Sequence, residues 1–294
     1  MIKVIVSDLD GTLLDANHQI TNYTASVIKA LQDKGYQFLI ATGRTYDTVK
    51  PLIDFHNIQC ECLLMNGAMV VNKNGEVMYD KPMVNEHVVD IFTLLQELQV
   101  QFQMYADIGT VTNDVKAAKL AFGVHMRRKG MSEEEIEQII EEGGFCQFAA
   151  EVKNIYDFLE KGHKVYKIEV FGDASNLEKA REILLQKEEY AVTNSFENNI
   201  EITDVTAQKG YTLSGMFKTR NISVEEVVVF GDSLNDASMM KLFPNSVAMK
   251  NAVNIIKEYA RYCTCFPNNE EGVAKVIEGL LEEGTLHHIE DAHI

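Results

Sequence analysis

The chain has 294 residues, 46% of them hydrophobic and 24% charged, which is enough for two domains, each with its own core. A formal net charge of −17 argues against nucleic acid or an anionic membrane surface as a partner. No stretch approaches the roughly 20 consecutive apolar residues of a membrane span. The cysteines are odd in number (Cys60, Cys62, Cys146, Cys263 and Cys265), and the two Cys-x-Cys pairs lie in strand-like surroundings. Buried free thiols in a reducing compartment fit this usage better than zinc ligands. With no signal peptide at the N-terminus, a cytoplasmic location is expected.

The first eighty residues alternate between two periods. Ile2–Val6 is a continuous apolar run, the kind of strand that is buried on both faces of a parallel sheet, and it ends in Asp8-Leu9-Asp10-Gly11-Thr12. Ile20–Lys34 has helical spacing, with Val27, Ile28 and Leu31 on one face, Thr21 as cap and Gly35 as stop. A second apolar strand, 37–41, runs into Thr42-Gly43-Arg44. A further helix extends to about Phe55, and a third strand, Cys62–Met65, ends in Asn66-Gly67. The pattern resumes late: strand 226–230 runs into Gly231-Asp232-Ser233-Leu234-Asn235-Asp236. Short strands at 246–249 and 262–266 follow, with helices near 253–260 and 272–282, and then a polar tail expected to fray.

This order predicts a doubly wound α/β core with a Rossmann-like parallel sheet. The stretch between Gly67 and Lys209 is too long for a crossover. It mixes hairpin-like runs (101–105 with 110–112, 190–195 with 200–203) with helices near 84–97 and 175–187 and a strand at 164–171. The expected organisation is therefore a core of residues 1–82 and 204–294 with an inserted α+β domain at 83–203. Within the insertion, Ser132–Glu142 is rich in acids. Ile136, Ile139 and Ile140 give it an apolar stripe, so it reads as a solvated helix face rather than a cation site.

Binding residues of such sheets sit beyond the carboxyl ends of the strands. Asp8, Asp10, Thr42, Asn66 and Asp232 all hold such positions, and Lys209-Gly210 opens an apolar-periodic helix. Adjacent acids repel one another, and a hard divalent cation with oxygen ligands, as Mg²⁺ prefers, would hold Asp8 ionised beside its neighbours. Lys209 adds a second positive charge, and Thr42-Gly43, expected at a helix start, adds neutral donors suited to an anion. Taken singly, Asp10-Gly11 could be turn chemistry, and Thr42 or Asp232 a helix cap. Neither explanation covers Asp8 or Lys209.

The set Asp8-Leu9-Asp10-Gly11-Thr12-Leu13-Leu14, Ala41-Thr42-Gly43-Arg44, Asn66-Gly67-Ala68, Lys209-Gly210 and Gly231–Asp236 with Met239 resembles the haloacid dehalogenase-like superfamily. Within it, the resemblance is to the Cof-type branch, which has a large cap between its second and third motifs. Ala248–Ala252 and Asn268–Ala274 resemble it less diagnostically, and Lys250 stands where that family more often has a small residue.

The resemblance implies a Mg²⁺-dependent phosphatase of a small phosphorylated metabolite, a sugar phosphate or similar, with 83–203 as the specificity cap. It implies Asp8 as nucleophile, forming an aspartyl-phosphate, and Asp10 as general acid and then base. The ion would be held by the Asp8 carboxylate, the Asp10 backbone carbonyl and Asp232, with Asp236 in or beside that shell. Leu9, Thr42, Gly43, Lys209 and Asn235 would hold the phosphoryl group. For Arg44, ion pairing and substrate contact both stand, and for Asn66-Gly67, a plain turn and a substrate contact. A phosphomutase on a sugar phosphate, or a non-catalytic regulator that binds phosphometabolites, are the alternative functions.

Overall fold

The N-terminal apolar run forms strand Val4–Ser7, all four residues buried. It lies fifth in a nine-stranded sheet of the computed structural model, which describes residues 1–128, 131–141, 148–171, 174–195 and 199–292. The chain divides into two compact units, Met1–Lys81 with Thr206–Ile294, and Pro82–Val205.

In the first unit the sheet order is Ile289–Asp291, Tyr262–Thr264, Asn245–Ala248, Val227–Gly231, Val4–Ser7, Gln37–Ala41, Glu61–Leu64, Met69–Val71 and Val77–Asp80. The strands from Tyr262–Thr264 through Glu61–Leu64 run parallel, and the outermost strands on both edges are antiparallel. This is the α/β class expected from the alternating periods. From Val4–Ser7 the chain moves one way, to Gln37–Ala41, and much later returns to pair on the other side as Val227–Gly231. In open α/β sheets a reversal of strand order of this kind is where binding residues gather, at the carboxyl ends of the central strands.

Helix Asn22–Asp33 buries Val27, Ile28 and Leu31, and the Thr24 amide donates to Thr21 Oγ1 at 3.1 Å, which satisfies one of the helix's unpaired first-turn donors. Two expectations need correction. The tail does not fray throughout: Ile289–Asp291 pairs with Tyr262–Thr264, and the Cys265 amide donates to the His288 carbonyl at 2.8 Å. An exposed edge of unpaired amides and carbonyls is a template for a further strand, and the tail supplies it. Thr42-Gly43 does not open a helix either, because the next helix, Tyr46–Phe55, starts after Thr45.

The second unit holds a six-stranded sheet in the order Tyr190–Thr193, Asn199–Asp204, Val165–Phe171, Gln101–Ala106, Gly109–Thr112 and Ala150–Glu151, antiparallel except for the last pair. One face is apolar. Phe102, Met104, Ile168, Val170, Ile200 and Ile202 pack with Val88, Ile91, Phe92, Phe158 and Leu184 from helices Asn85–Glu97, Ile155–Glu160 and Ala174–Leu184.

Strand alternation sends the intervening residues to the other face, where the register aligns Gln103, Glu169 and Glu201, and Tyr105, Lys167 and Thr203. Lys167 Nζ lies 2.8 Å from Glu201 Oε1. Glu169 accepts from the Tyr105 hydroxyl at 2.5 Å, Gln103 at 3.2 Å and Asn199 at 3.0 Å. The acidic segment forms helix Glu133–Glu141 with Ile136 buried. The Ile139 and Ile140 side chains, Glu142 and Cys146 lie outside the described residues.

Candidate active site

Val4–Ser7 carries Asp8 past its carboxyl end, and its neighbour Val227–Gly231 carries Asp232 to the same edge. Between Leu9 and Leu13 the backbone leaves helical geometry, with Gly11 at φ +75°. Glycine is required there twice over: the left-handed conformation disfavours a Cβ, and a Cβ would sit 2.4 Å from Asp232 Oδ2. The Asn251 side-chain amide ties down this turn by donating to the Gly11 carbonyl at 2.7 Å.

Lys209, the first residue of helix Lys209–Thr219, is the centre of the site. Its Nζ has no exposure and lies 2.7 Å from both Asp8 Oδ1 and Asp236 Oδ1. Gly210 makes this approach possible, because a Cβ there would fall 2.3 Å from the Ser238 backbone; its amide donates to Ser238 Oγ at 2.9 Å. Asp236 Oδ2 accepts the Asp232 and Ser233 amides at 2.8 and 3.1 Å. Asp236 therefore braces both Lys209 and the turn that presents Asp232. The two Asp232 oxygens accept from Thr12 Oγ1 and Ser233 Oγ, each at 2.9 Å.

Ligand atoms of Asp8, Asp232 and Asp236 lie within 4.8 Å of one another. Burial pushes the Asp8 carboxyl well up, opposed by Lys209 and reinforced by Asp236 and Asp232. Burial and then the Asp236 charge push Asp232 up to about 7. Lys209 is also held up: its two carboxylates outweigh the burial that would otherwise favour a neutral amine. Three carboxylates thus gather around one ammonium, which contacts two of them. An all-oxygen donor set with surplus negative charge fits a hard divalent cation.

The carboxylate of Asp10 is not in that group. Arg44 Nε meets its Oδ2 at 2.6 Å and Arg44 Nη2 its Oδ1 at 2.5 Å, while His18 Nδ1 lies 3.3 Å from Oδ1. Burial would raise this carboxyl, but the hydrogen bonds from His18 and Arg44, and their charges, hold it well below the usual carboxylate range.

Thr42 is buried, and its Oγ1 accepts the Arg44 amide at 3.2 Å, with Gly43 between them. Asn66, at φ +61°, accepts from the Asn235 side-chain amide at 3.2 Å, and the Gly67 carbonyl accepts from Thr212 at 2.9 Å. Leu9 is fully buried, its carbonyl closing the turn onto the Leu14 amide at 3.0 Å. Lys250 Nζ donates to the Cys265 carbonyl at 3.1 Å.

Sequence reasoning gave no part to Thr12, Ser233 or His18. The first two stand inside the quoted motifs, next to acids, and that adjacency was a usable signal. His18 carries no such mark.

The haloacid dehalogenase-like hydrolase family model matches residues 5–277. The phosphatase YwpJ of Bacillus subtilis is 25% identical over 287 residues, covering 95% of this chain and 100% of that protein. The 5-amino-6-(5-phospho-D-ribitylamino)uracil phosphatase YwtE of the same organism is 28% identical, covering 95% and 98%. A solved haloacid dehalogenase-like hydrolase from B. subtilis superposes with a TM-score of 0.82 at 25% identity, over 95% of this chain and 100% of that one. The geometry of the acidic cluster around Lys209 and these matches agree: the chain belongs to the haloacid dehalogenase-like hydrolases, in their Cof-type branch of phosphatases.

Proposed function

We propose that this phosphatase is Mg²⁺-dependent, that it hydrolyses a small phosphorylated metabolite with a sugar or polyol skeleton, and that it works through an aspartyl-phosphate on Asp8. The observation that carries this reading is the buried Lys209 ammonium, 2.7 Å from Asp8 Oδ1 and from Asp236 Oδ1, at a strand end shared with Asp232. A carboxylate beside a fixed cation, at the strand ends of a parallel sheet, suits in-line attack on a dianionic phosphoryl group.

Asp8 and Asp232, with the Asp10 carbonyl, would hold the ion, and Asp236 would orient them. When bound, Mg²⁺ supplies the positive charge that offsets phosphoryl oxygens and the nucleophile together. In the first half-reaction an Asp8 oxygen bonds to phosphorus as the ester P–O bond breaks; Asp10, ionised under Arg44 and His18 without substrate, would take up a proton as the anionic ester binds beside it and give that proton to the leaving alkoxide. In the second, water attacks phosphorus, its proton passes to Asp10, and the bond to Asp8 breaks. Lys209, Thr42, Asn235 and the amides at Leu9 and Gly43 would hold the equatorial oxygens, where most catalysis of phosphoryl transfer lies. Arg44, Asn66 and Gly67 line the same strand ends. The Pro82–Val205 unit would select the esterified group. The relative YwtE is named for a phosphate ester on a ribityl chain, which supports a polyol skeleton for the substrate.

Phosphate release from p-nitrophenyl phosphate and from a panel of sugar and polyol phosphates, with Mg²⁺ or EDTA, tests the reading. Release should require the ion and vanish in Asp8→Asn, and acid-quenched wild type should carry a phosphoryl group on the peptide holding Asp8. Metal-independent release, or full activity in Asp8→Asn, overturns it.

A further inference from the structure

We propose that Arg44 is the positioning residue for Asp10, its two-point contact fixing the plane in which that carboxyl meets the leaving group and the attacking water. The inference rests on the reading of Asp10 as acid and base given above, and it adds a residue and a mode of action to it.

The contact is built from both ends. Arg44 follows strand Gln37–Ala41, the direct neighbour of the strand that carries Asp8. Its amide donates to Thr42 Oγ1 at 3.2 Å, and its carbonyl accepts the Met65 amide at 3.0 Å. The backbone of Arg44 is thereby pinned to the ends of two adjacent strands, and the guanidinium leaves it from a fixed origin. Nε and Nη2 each take one oxygen of Asp10, at 2.6 and 2.5 Å. A monodentate cation leaves a carboxylate free to rotate about its last bond, whereas a guanidinium fork on both oxygens does not.

The second anchor comes from a separate loop. His18 reaches Asp10 Oδ1 from a left-handed backbone conformation, φ +56°. That conformation is rare for a residue with a Cβ, and it is held by a turn built around Asp15. Asp15 Oδ1 accepts the amides of Asn17 and Gln19, each at 2.9 Å, and the Asp15 carbonyl accepts the His18 amide at 3.1 Å. Arg44 and Asp10 side chains are about one-quarter exposed, so this pair is neither a loose surface contact nor a core ion pair. A purely structural salt bridge would need neither two-point geometry nor a convergent imidazole on the same oxygen. A carboxyl that must hand a proton to one atom and take one from another does need a fixed direction, because small misplacements cost large factors in rate.

The experiment compares p-nitrophenyl, phenyl and benzyl phosphate, whose leaving groups are increasingly basic and increasingly dependent on protonation. Wild type, Arg44→Ala, Arg44→Lys and Asp10→Asn are measured, with folding checked by circular dichroism. The expected result is that Arg44→Ala lowers kcat/KM for benzyl phosphate on the order of 100-fold, while the pre-steady-state burst from p-nitrophenyl phosphate falls less than about tenfold. Arg44→Lys should not restore the benzyl rate. Guanidinium chloride at tens of millimolar should restore part of it to Arg44→Ala, and ammonium chloride should not.

Equal losses on all three esters, a loss confined to KM, or rescue by ammonium as well as guanidinium overturns the positioning role. If Asp10→Asn itself shows no dependence on leaving group, the acid–base reading of Asp10 falls instead. If wild type releases no phosphate from any of the esters, the proposed function falls first.

Discussion

Lys209 has no solvent-exposed surface and divides its charge between Asp8 and Asp236. Removing one member of such a buried set strands the rest in a low-dielectric site. Lys209→Met should abolish phosphate release and cost about 3–5 kcal/mol of unfolding free energy in EDTA, read from urea transitions. An unchanged urea midpoint would contradict the central place given to this ammonium. The neighbouring carboxylates set a pH dependence as well. Burial raises Asp232 to about 7, above an unfolded value of roughly 4. The folded state therefore binds that proton more tightly, and this group's contribution to metal-free stability is lost as pH rises from about 4 to about 7. Mg²⁺ competes with the same proton, so the rise in Tm on adding Mg²⁺ should grow between about pH 5 and pH 8. A gain that is flat across that range would count against Asp232 as a ligand. Single-residue signals in the sequence carried Asp8, Lys209, Asp232 and Asp236 to one edge, because strand ends and a helix start are legible from periodicity. The Arg44 contact with Asp10 spans 34 positions in sequence and the His18 contact eight, and nothing in a local pattern encodes either.

The central strand of the second unit, Val165–Phe171, shows how far pattern reading reaches at the scale of an element. The sequence predicts a strand at 164–171, and Ile168 and Val170 do enter the apolar cluster. Residues with charges at the intervening positions would ordinarily face water, yet Lys167 and Glu169 are buried, as is Glu201 opposite. Alternation gives the two faces of a strand but does not say what lies against each. The Lys167–Glu201 pair makes a measurable claim. Lys167→Met should destabilise the protein by about 3–5 kcal/mol by removing the cation beside the buried Glu201, while Lys167→Met with Glu201→Leu should recover most of that loss. A double variant no more stable than the single one would show that the uncompensated Glu201 charge is not the source of the loss. The short strands Met69–Val71, Val77–Asp80 and Ile289–Asp291 lie outside what the sequence pattern predicts. Met69–Val71 and Ile289–Asp291 border the parallel block and Val77–Asp80 lies beyond Met69–Val71, and three or four residues are too few for a period to emerge above composition.

At the scale of the molecule, the alternating strands and helices at the two ends of the sequence were enough for an α/β sheet with a long interruption. The sheet order explains why the ends had to be read together. Val4–Ser7 is flanked by Gln37–Ala41 and by Val227–Gly231, so one side of the first strand is completed from the far half of the chain. Inverted strand order of this kind also places Asp8 and Asp232, the acids of two distant motifs, on neighbouring strand ends.

The same register has a consequence for synthesis. Val4 pairs with Val227, more than 200 residues later, while every strand of the Pro82–Val205 unit lies within one continuous stretch. On the ribosome the inserted unit is complete before the strand that closes the catalytic sheet has been translated. The first segment to emerge can thus pair on one side early, with Gln37–Ala41, but its other edge stays open until most of the chain has been made.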